Sequence, residues 1–113
     1  MIDFHRVDYF SMTYIFMEED ADIACEYEQT KQPVSVSPDG LSVTFTLKNI
    51  DVREDNDEYL TTVFAEDDEF YIKSSYFEDA DEPYPLNVEM SEEEIKFTLA
   101  GEDEVMHLYG FFA

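Results

Sequence analysis

The sequence predicts a mainly all-β domain: an antiparallel sandwich or barrel-like meander of about seven to nine short strands, with room for one short helix. Three observations carry this expectation. Apolar residues recur at every second position through most of the chain. Those positions are filled largely by β-branched and aromatic residues, which suit a pleated, half-buried surface, and the chain has ten Phe and eight Tyr. Stretches rich in Asp, Glu, Gly and Pro break the alternation into short runs.

The elements follow in order. Phe10, Met12, Tyr14 and Phe16 share one face of a strand, with Ser11, Thr13 and Ile15 on the other. Ile23, Cys25 and Tyr27 alternate with Ala24, Glu26 and Glu28. Val34 and Val36 alternate with Ser35 and Ser37, and Leu41, Val43, Phe45 and Leu47 with Ser42, Thr44, Thr46 and Lys48. Between these two runs, Ser37-Pro38-Asp39-Gly40 fits a type I turn followed by a bulge, so this is a hairpin. In the run that begins at Asp55, Leu60, Val63 and Phe64 have helical spacing, with Asn56 as a candidate N-cap, yet Thr61-Thr62-Val63 is a β-branched run that favours a strand. Phe70 and Ile72 lead into Tyr76. Ser91 to Glu94 has the form of a capping box, but Ile95, Phe97 and Leu99 then alternate with Lys96 and Thr98. Ala100 to Asp103 turns the chain into a last run from Val105 to Phe112, whose apolar end reads as an edge strand or a homodimer contact. The expected core includes Phe10, Tyr14, Phe16, Phe45, Phe70, Phe97 and Phe111, with Tyr59, Tyr84 and Tyr109 as candidate surface anchors.

The 113 residues make one domain, 1–113, and 44% hydrophobic content is enough for a core. The charge is unusual. There are 29 Asp and Glu against six Lys and Arg, a formal net charge of −23. A net charge of roughly 2–8 in magnitude serves solubility, and a larger excess repels itself. Direct binding to nucleic acid or to an anionic membrane is not expected, because phosphate would repel this surface. A basic, nucleic-acid-binding protein is the natural partner. Cys25 is the only cysteine, the opening Met1 to Phe10 lacks a basic stretch followed by an apolar one, and no apolar run approaches the ~20 residues that span a bilayer. The expectation is a cytoplasmic protein.

No motif for enzyme chemistry, a cofactor or a metal is found. Arg53 to Glu58 and Glu78 to Pro83 are acidic, but neither has the Gly and the spacing of a calcium loop. His5, Cys25 and His107 are far apart in sequence, and His107 reads as an outer-face residue. No nucleophile elbow or phosphate loop is present. What stands out is acid gathered between the strands. The candidate partner-binding residues are Glu18, Glu19, Asp20 and Asp22; Glu54, Asp55, Asp57 and Glu58; Glu66, Asp67, Asp68 and Glu69; and Glu78, Asp79, Asp81 and Glu82. Glu-Asp-Ala-Asp occurs twice among them, at positions 19 and 78. Residues i and i+2 of a strand are about 6.6–6.8 Å apart, and successive phosphates of a nucleic-acid strand roughly 6–7 Å. Carboxylates on strand faces and turn tips can therefore imitate a phosphate row.

In charge, size and lack of catalytic motifs the chain resembles the small acidic DNA-mimic inhibitors of phages and mobile elements, among them anti-restriction proteins, anti-CRISPR proteins and inhibitors of uracil-DNA glycosylase. The resemblance covers the whole chain as composition and no part of it as a motif. It implies a non-enzymatic inhibitor that occupies the nucleic-acid-binding surface of a defence protein, a CRISPR effector or restriction enzyme, and competes with DNA or RNA. Two alternatives share the acidic surface: an immunity protein that neutralises a basic nuclease toxin, and a housekeeping domain of a halophile.

Overall fold

The computed structural model describes residues 3–17, 22–30, 34–50 and 57–113. Among these residues a single 3-10 turn, Phe4–Arg6, is followed by nine strands: β1 (Val7–Met17), β2 (Asp22–Gln29), β3 (Ser35–Val36), β4 (Ser42–Asn49), β5 (Glu58–Glu66), β6 (Glu69–Ser74), β7 (Tyr84–Met90), β8 (Glu94–Ala100) and β9 (Glu104–Phe112). Every pairing is antiparallel. β1 pairs with both β2 and β9, and β2 pairs with β4, so β1, β2 and β4 to β9 close into an eight-stranded barrel. β2 takes the C-terminal half of β4 (Tyr27 opposite Asn49) and β3 the N-terminal half (Val36 opposite Val43), so the short extra strand completes the same edge.

Eight strands enclose an interior that side chains can nearly fill. The alternating residues do this: Phe10, Met12 and Tyr14 from β1, Tyr27 from β2, Val43, Phe45 and Leu47 from β4, Val63, Ile72, Leu86, Ile95, Phe97, Met106 and Leu108 are all buried. Phe10 and Phe45 stack face to face with centroids 4.0 Å apart. Gly110, opposite Phe10, leaves room for that ring: a Cβ there would come within 3.1 Å of Phe10 and of Ile95. A register shift between Val7 and Tyr9 places Asp8 outward and lets both Val7 and Phe10 point inward.

One end of the barrel is plugged. Phe4 is fully buried, its ring 6.2 Å from those of Phe70 and Phe97, and its N–H donates to the Gly40 carbonyl at 2.9 Å. Asp3 holds the 3-10 turn by accepting from the His5 N–H at 3.0 Å, and Arg6 lies over the Phe112 ring at 4.7 Å. The predicted hairpin turn forms here as expected. Gly40 has φ +75°, its N–H donates to Ser37 at 2.9 Å, and Asp39 accepts from the Leu41 N–H at 3.0 Å.

As the β-branched run favours, the segment with helical spacing is strand β5, and Ser91 makes a turn rather than a helix start: its side chain accepts from the Glu93 and Glu94 N–H groups. The single helical turn among the described residues is Phe4–Arg6, where the sequence pattern points to none. Other expectations need correction. β7 was not anticipated, because Pro83 and Pro85 argue against a strand, although Leu86, Val88 and Met90 alternate with Asn87 and Glu89. Phe111 is not core. It points outward, 37% exposed, and stacks against Tyr9 and Tyr109. The apolar C-terminal run is not an edge, since β9 is hydrogen-bonded to β1 on one side and β8 on the other.

Candidate functional site

An antiparallel meander sends successive connections to opposite ends of the barrel. The C-terminal ends of β1, β4, β6 and β8 and the starts of β2, β5, β7 and β9 lie at the end opposite the Phe4 plug, here the open mouth; the β5–β6 and β7–β8 turns lie at the plugged end. This sorts the acid. Asp22, Asp57, Glu58, Glu78, Asp79, Asp81 and Glu82 border the open mouth, joined by Glu102 and Asp103, and of these Asp22, Asp57, Glu58, Glu78, Asp79, Asp81, Glu82, Glu102 and Asp103 are all exposed. The described connections of this rim, 57, 75–83 and 101–103, contain no Lys or Arg. Lys48 stands on the outer wall below it, in register with Glu58 and Glu28. Glu66, Asp67, Asp68 and Glu69 are also exposed, in the turn at the other end of β5 and β6; a groove on the barrel wall joins Asp68 and Glu69 to Leu99 and Ala100, which also line the mouth. Glu18, Glu19, Asp20, Glu54 and Asp55 lie outside the described residues, as does Asn56.

Some of this acid has a local conformational role. Asp67 (φ 52°) and Asp68 (φ 66°) both adopt the left-handed conformation between the paired Glu66 and Glu69, which makes a two-residue type I′ hairpin turn. Asp tolerates that region better than most residues. In the second Glu-Asp-Ala-Asp, Asp79 accepts from the Asp81 N–H at 3.1 Å, an Asx turn that reverses the chain into β7. Glu78, Asp81 and Glu82 are left facing solvent.

Behind the rim the barrel interior opens into a cavity of about 380 Å³. Its walls are Tyr14, Tyr76, Phe77 and Tyr84, Leu99 and Met106 lie at its base, and Glu78 and Glu104 contribute carboxylates. Tyr76 is the hub. Its ring centroid is 5.3 Å from Tyr14, 5.4 Å from Tyr27, 5.0 Å from Tyr59 and 6.1 Å from Phe77. The two serines before it hold it there. Ser74, buried, accepts from the Tyr76 N–H at 3.1 Å and shares a 2.9 Å hydrogen bond with Thr61; the Ser75 hydroxyl accepts from the Leu60 N–H at 3.0 Å. Burial raises the Tyr76 hydroxyl well above its ordinary pKa, and the hydroxyls of Tyr76 and Tyr27 are 3.3 Å apart, within hydrogen-bond distance. Burial raises the Tyr14 hydroxyl likewise, helped by its hydrogen bond to Glu104. Glu104 reaches the cavity because it is two residues before inward-facing Met106, on the same face of β9. Sequence reasoning placed Tyr14 in the core and passed over Tyr76 and Glu104 as site residues. The signal available was Ser-Ser-Tyr-Phe directly before an acidic turn.

Tyr59 and Tyr84, candidate surface anchors, are half-buried against the core, whereas Tyr109 is on the outer wall. His107 also faces outward, beside Thr98, and burial and Lys96 lower its pKa. His5, Cys25 and His107 sit on separate parts of the barrel, and among the described residues no group of three or more His, Cys, Asp or Glu is placed to hold a metal ion. No helix among the described residues is long and apolar enough to cross a membrane.

The fold defines this chain as a closed, antiparallel eight-stranded meander barrel with one plugged end and one acidic, aromatic mouth. No family model, no curated protein and no solved structure matches it.

Proposed function

We propose that this protein is a nucleic-acid mimic: an inhibitor that binds the DNA- or RNA-binding surface of a basic protein, such as a CRISPR effector or restriction enzyme of a defence system, and excludes the nucleic acid. The observation that supports this most directly is the open rim, where Asp22, Asp57, Glu58 and the described connections 75–83 and 101–103 gather exposed carboxylates without a Lys or Arg among these residues. An ordinary surface mixes both signs. A strong excess of negative charge steers a positive partner, speeds the encounter and makes the complex sensitive to salt. The rim presents carboxylates where the partner expects phosphates, and counterions leave both surfaces on contact. Chemistry on the partner is not required.

Because the acid is divided between two ends, the reading is specific. The mouth is the contact surface, and the Glu66–Glu69 turn is not part of it. The test uses immobilised protein, a fraction of host nucleic-acid-binding proteins, and duplex DNA as competitor. Retained protein should be released by DNA and by modest salt. A variant neutralised at the mouth (E78Q, D81N, E82Q, E102Q, D103N) should lose about tenfold or more in retention, while E66Q with E69Q should lose little. Retention that DNA cannot displace, or that survives neutralisation of the mouth, would overturn the proposal.

A further inference from the structure

We infer that the mouth cavity is a binding site for an organic cation, an alkylammonium or guanidinium group on an apolar stem. The volume, about 380 Å³, is in the range of small-ligand sites, roughly 300–1,000 Å³. Its walls are the side chains of Tyr14, Tyr76, Phe77 and Tyr84, and the electron-rich faces of aromatic rings attract cations. Ring contacts fix these walls in place: Tyr14 against Tyr76 at 5.3 Å, Tyr76 against Phe77 at 6.1 Å, and Phe77 against Tyr84 at 5.0 Å.

The polar groups select the sign of the charge. Glu104 is inside the cavity and Glu78 is at its lip, and no Lys, Arg or His lines it. The Tyr14 hydroxyl is already directed to Glu104, which leaves that carboxylate with acceptor capacity to spare. An anion would meet two carboxylates. A neutral apolar molecule would take water from Glu104 without replacing its hydrogen bonds. A cation with an apolar stem satisfies both features, with its charge between Glu104 and Glu78 and its stem against the rings and Met106. The same chemistry is carried by a free amine and by an Arg or Lys side chain of a bound protein, and the experiment separates these sources.

This inference does not depend on the proposed target, because its test uses small probes and no partner. The chain is titrated with butylguanidinium chloride, tetramethylammonium chloride, sodium chloride at matched ionic strength, and butanol, and the aromatic ring signals are followed by NMR. Both organic cations should shift the Tyr14, Tyr76 and Tyr84 signals saturably; sodium chloride and butanol should not. E104Q, which keeps a hydrogen-bond acceptor for Tyr14, should weaken binding about tenfold, since it removes the charge from the carboxylate that meets the cation. E78Q, at an exposed position, serves as a second variant should E104Q fail to fold, and E66Q at the plugged end should bind as the parent does. A short Arg-containing peptide that binds more tightly than butylguanidinium would identify a protein side chain as the source, and equal or weaker binding a free amine. Non-saturating shifts that follow ionic strength, or unchanged affinity in both E104Q and E78Q, would overturn the inference.

Discussion

Tyr76 shows how much a single side chain organises. Its ring touches those of Tyr14, Tyr27, Tyr59 and Phe77, and its backbone is held by Ser74, which is itself bonded to Thr61. Its hydroxyl remains protonated in the fold at a pH where an exposed tyrosine, with pKa near 10, ionises. The sign follows from linkage. The folded pKa is raised, so the stability is complete below about pH 10 and is lost as pH rises from there toward the folded value. Tyr14 acts in the same direction. Tyr76→Phe removes the ionisable group and one hydrogen bond, whose net worth is about 0.5–1.5 kcal/mol. The variant should melt somewhat lower than the parent near neutral pH, and its stability should fall less steeply above about pH 10. Equal slopes in the alkaline range, measured by thermal melts followed by circular dichroism, would remove Tyr76 from this account.

At the scale of elements, the turns decide more than the strands. The hairpin at Ser37–Gly40 also serves the plug, because its Gly40 carbonyl accepts from Phe4. At φ +75° a side chain is disfavoured, and a Cβ there would run into the Asp3 carboxylate. The Glu66–Glu69 turn uses two Asp residues where Asn-Gly is the preferred pair for both left-handed positions. Asp68→Gly relieves the conformation and removes one of four adjacent charges, so it should stabilise the domain by about 0.5–1 kcal/mol. A denaturant midpoint that stays the same or falls would contradict the turn assignment. Helical spacing competes with the β-branched run in β5 for a related reason. Leu60 is 60% exposed and Phe64 is on the outer wall, stacked on Tyr71, so the apolar residues there serve two different faces. A one-dimensional pattern does not distinguish an outward aromatic from a core one.

At the scale of the molecule, a net charge of −23 must be held on a small closed barrel. Tyrosine supplies donors that Lys and Arg would otherwise provide: Tyr71 donates to Glu69 at 2.7 Å, Tyr84 reaches Glu82 at 3.5 Å, and Tyr14 and Tyr9 are bonded to Glu104 and Glu28. These bonds satisfy the carboxylates without cancelling their charge. The surface field is kept, and so is the self-repulsion. Added salt should therefore raise the melting temperature steeply between about 10 mM and 150 mM, over which the Debye length contracts from roughly 30 Å to 8 Å. A flat response would show that repulsion is not a significant term. The same salt should weaken any complex formed through the mouth, so stability and binding are expected to move in opposite directions.

By itself, the sequence determined that the chain is an all-β meander, which residues face inward on most strands, where the Ser37–Gly40 hairpin turns, and that the surface is negative. These are local properties, set by period-two alternation, turn chemistry and composition. Closure was decided only by the tertiary structure. β1 meets β9 and β2 meets β4 across long separations in the chain, and no local pattern in Phe10–Phe16 or Val105–Phe112 encodes which strand will lie beside them. Closure then assigns every described turn to an end of the barrel. It places the two halves of the acid apart, brings Tyr14, Tyr76, Tyr84 and Glu104 around one cavity from four separate parts of the chain, and makes a rim of what in the sequence is a set of scattered acidic turns.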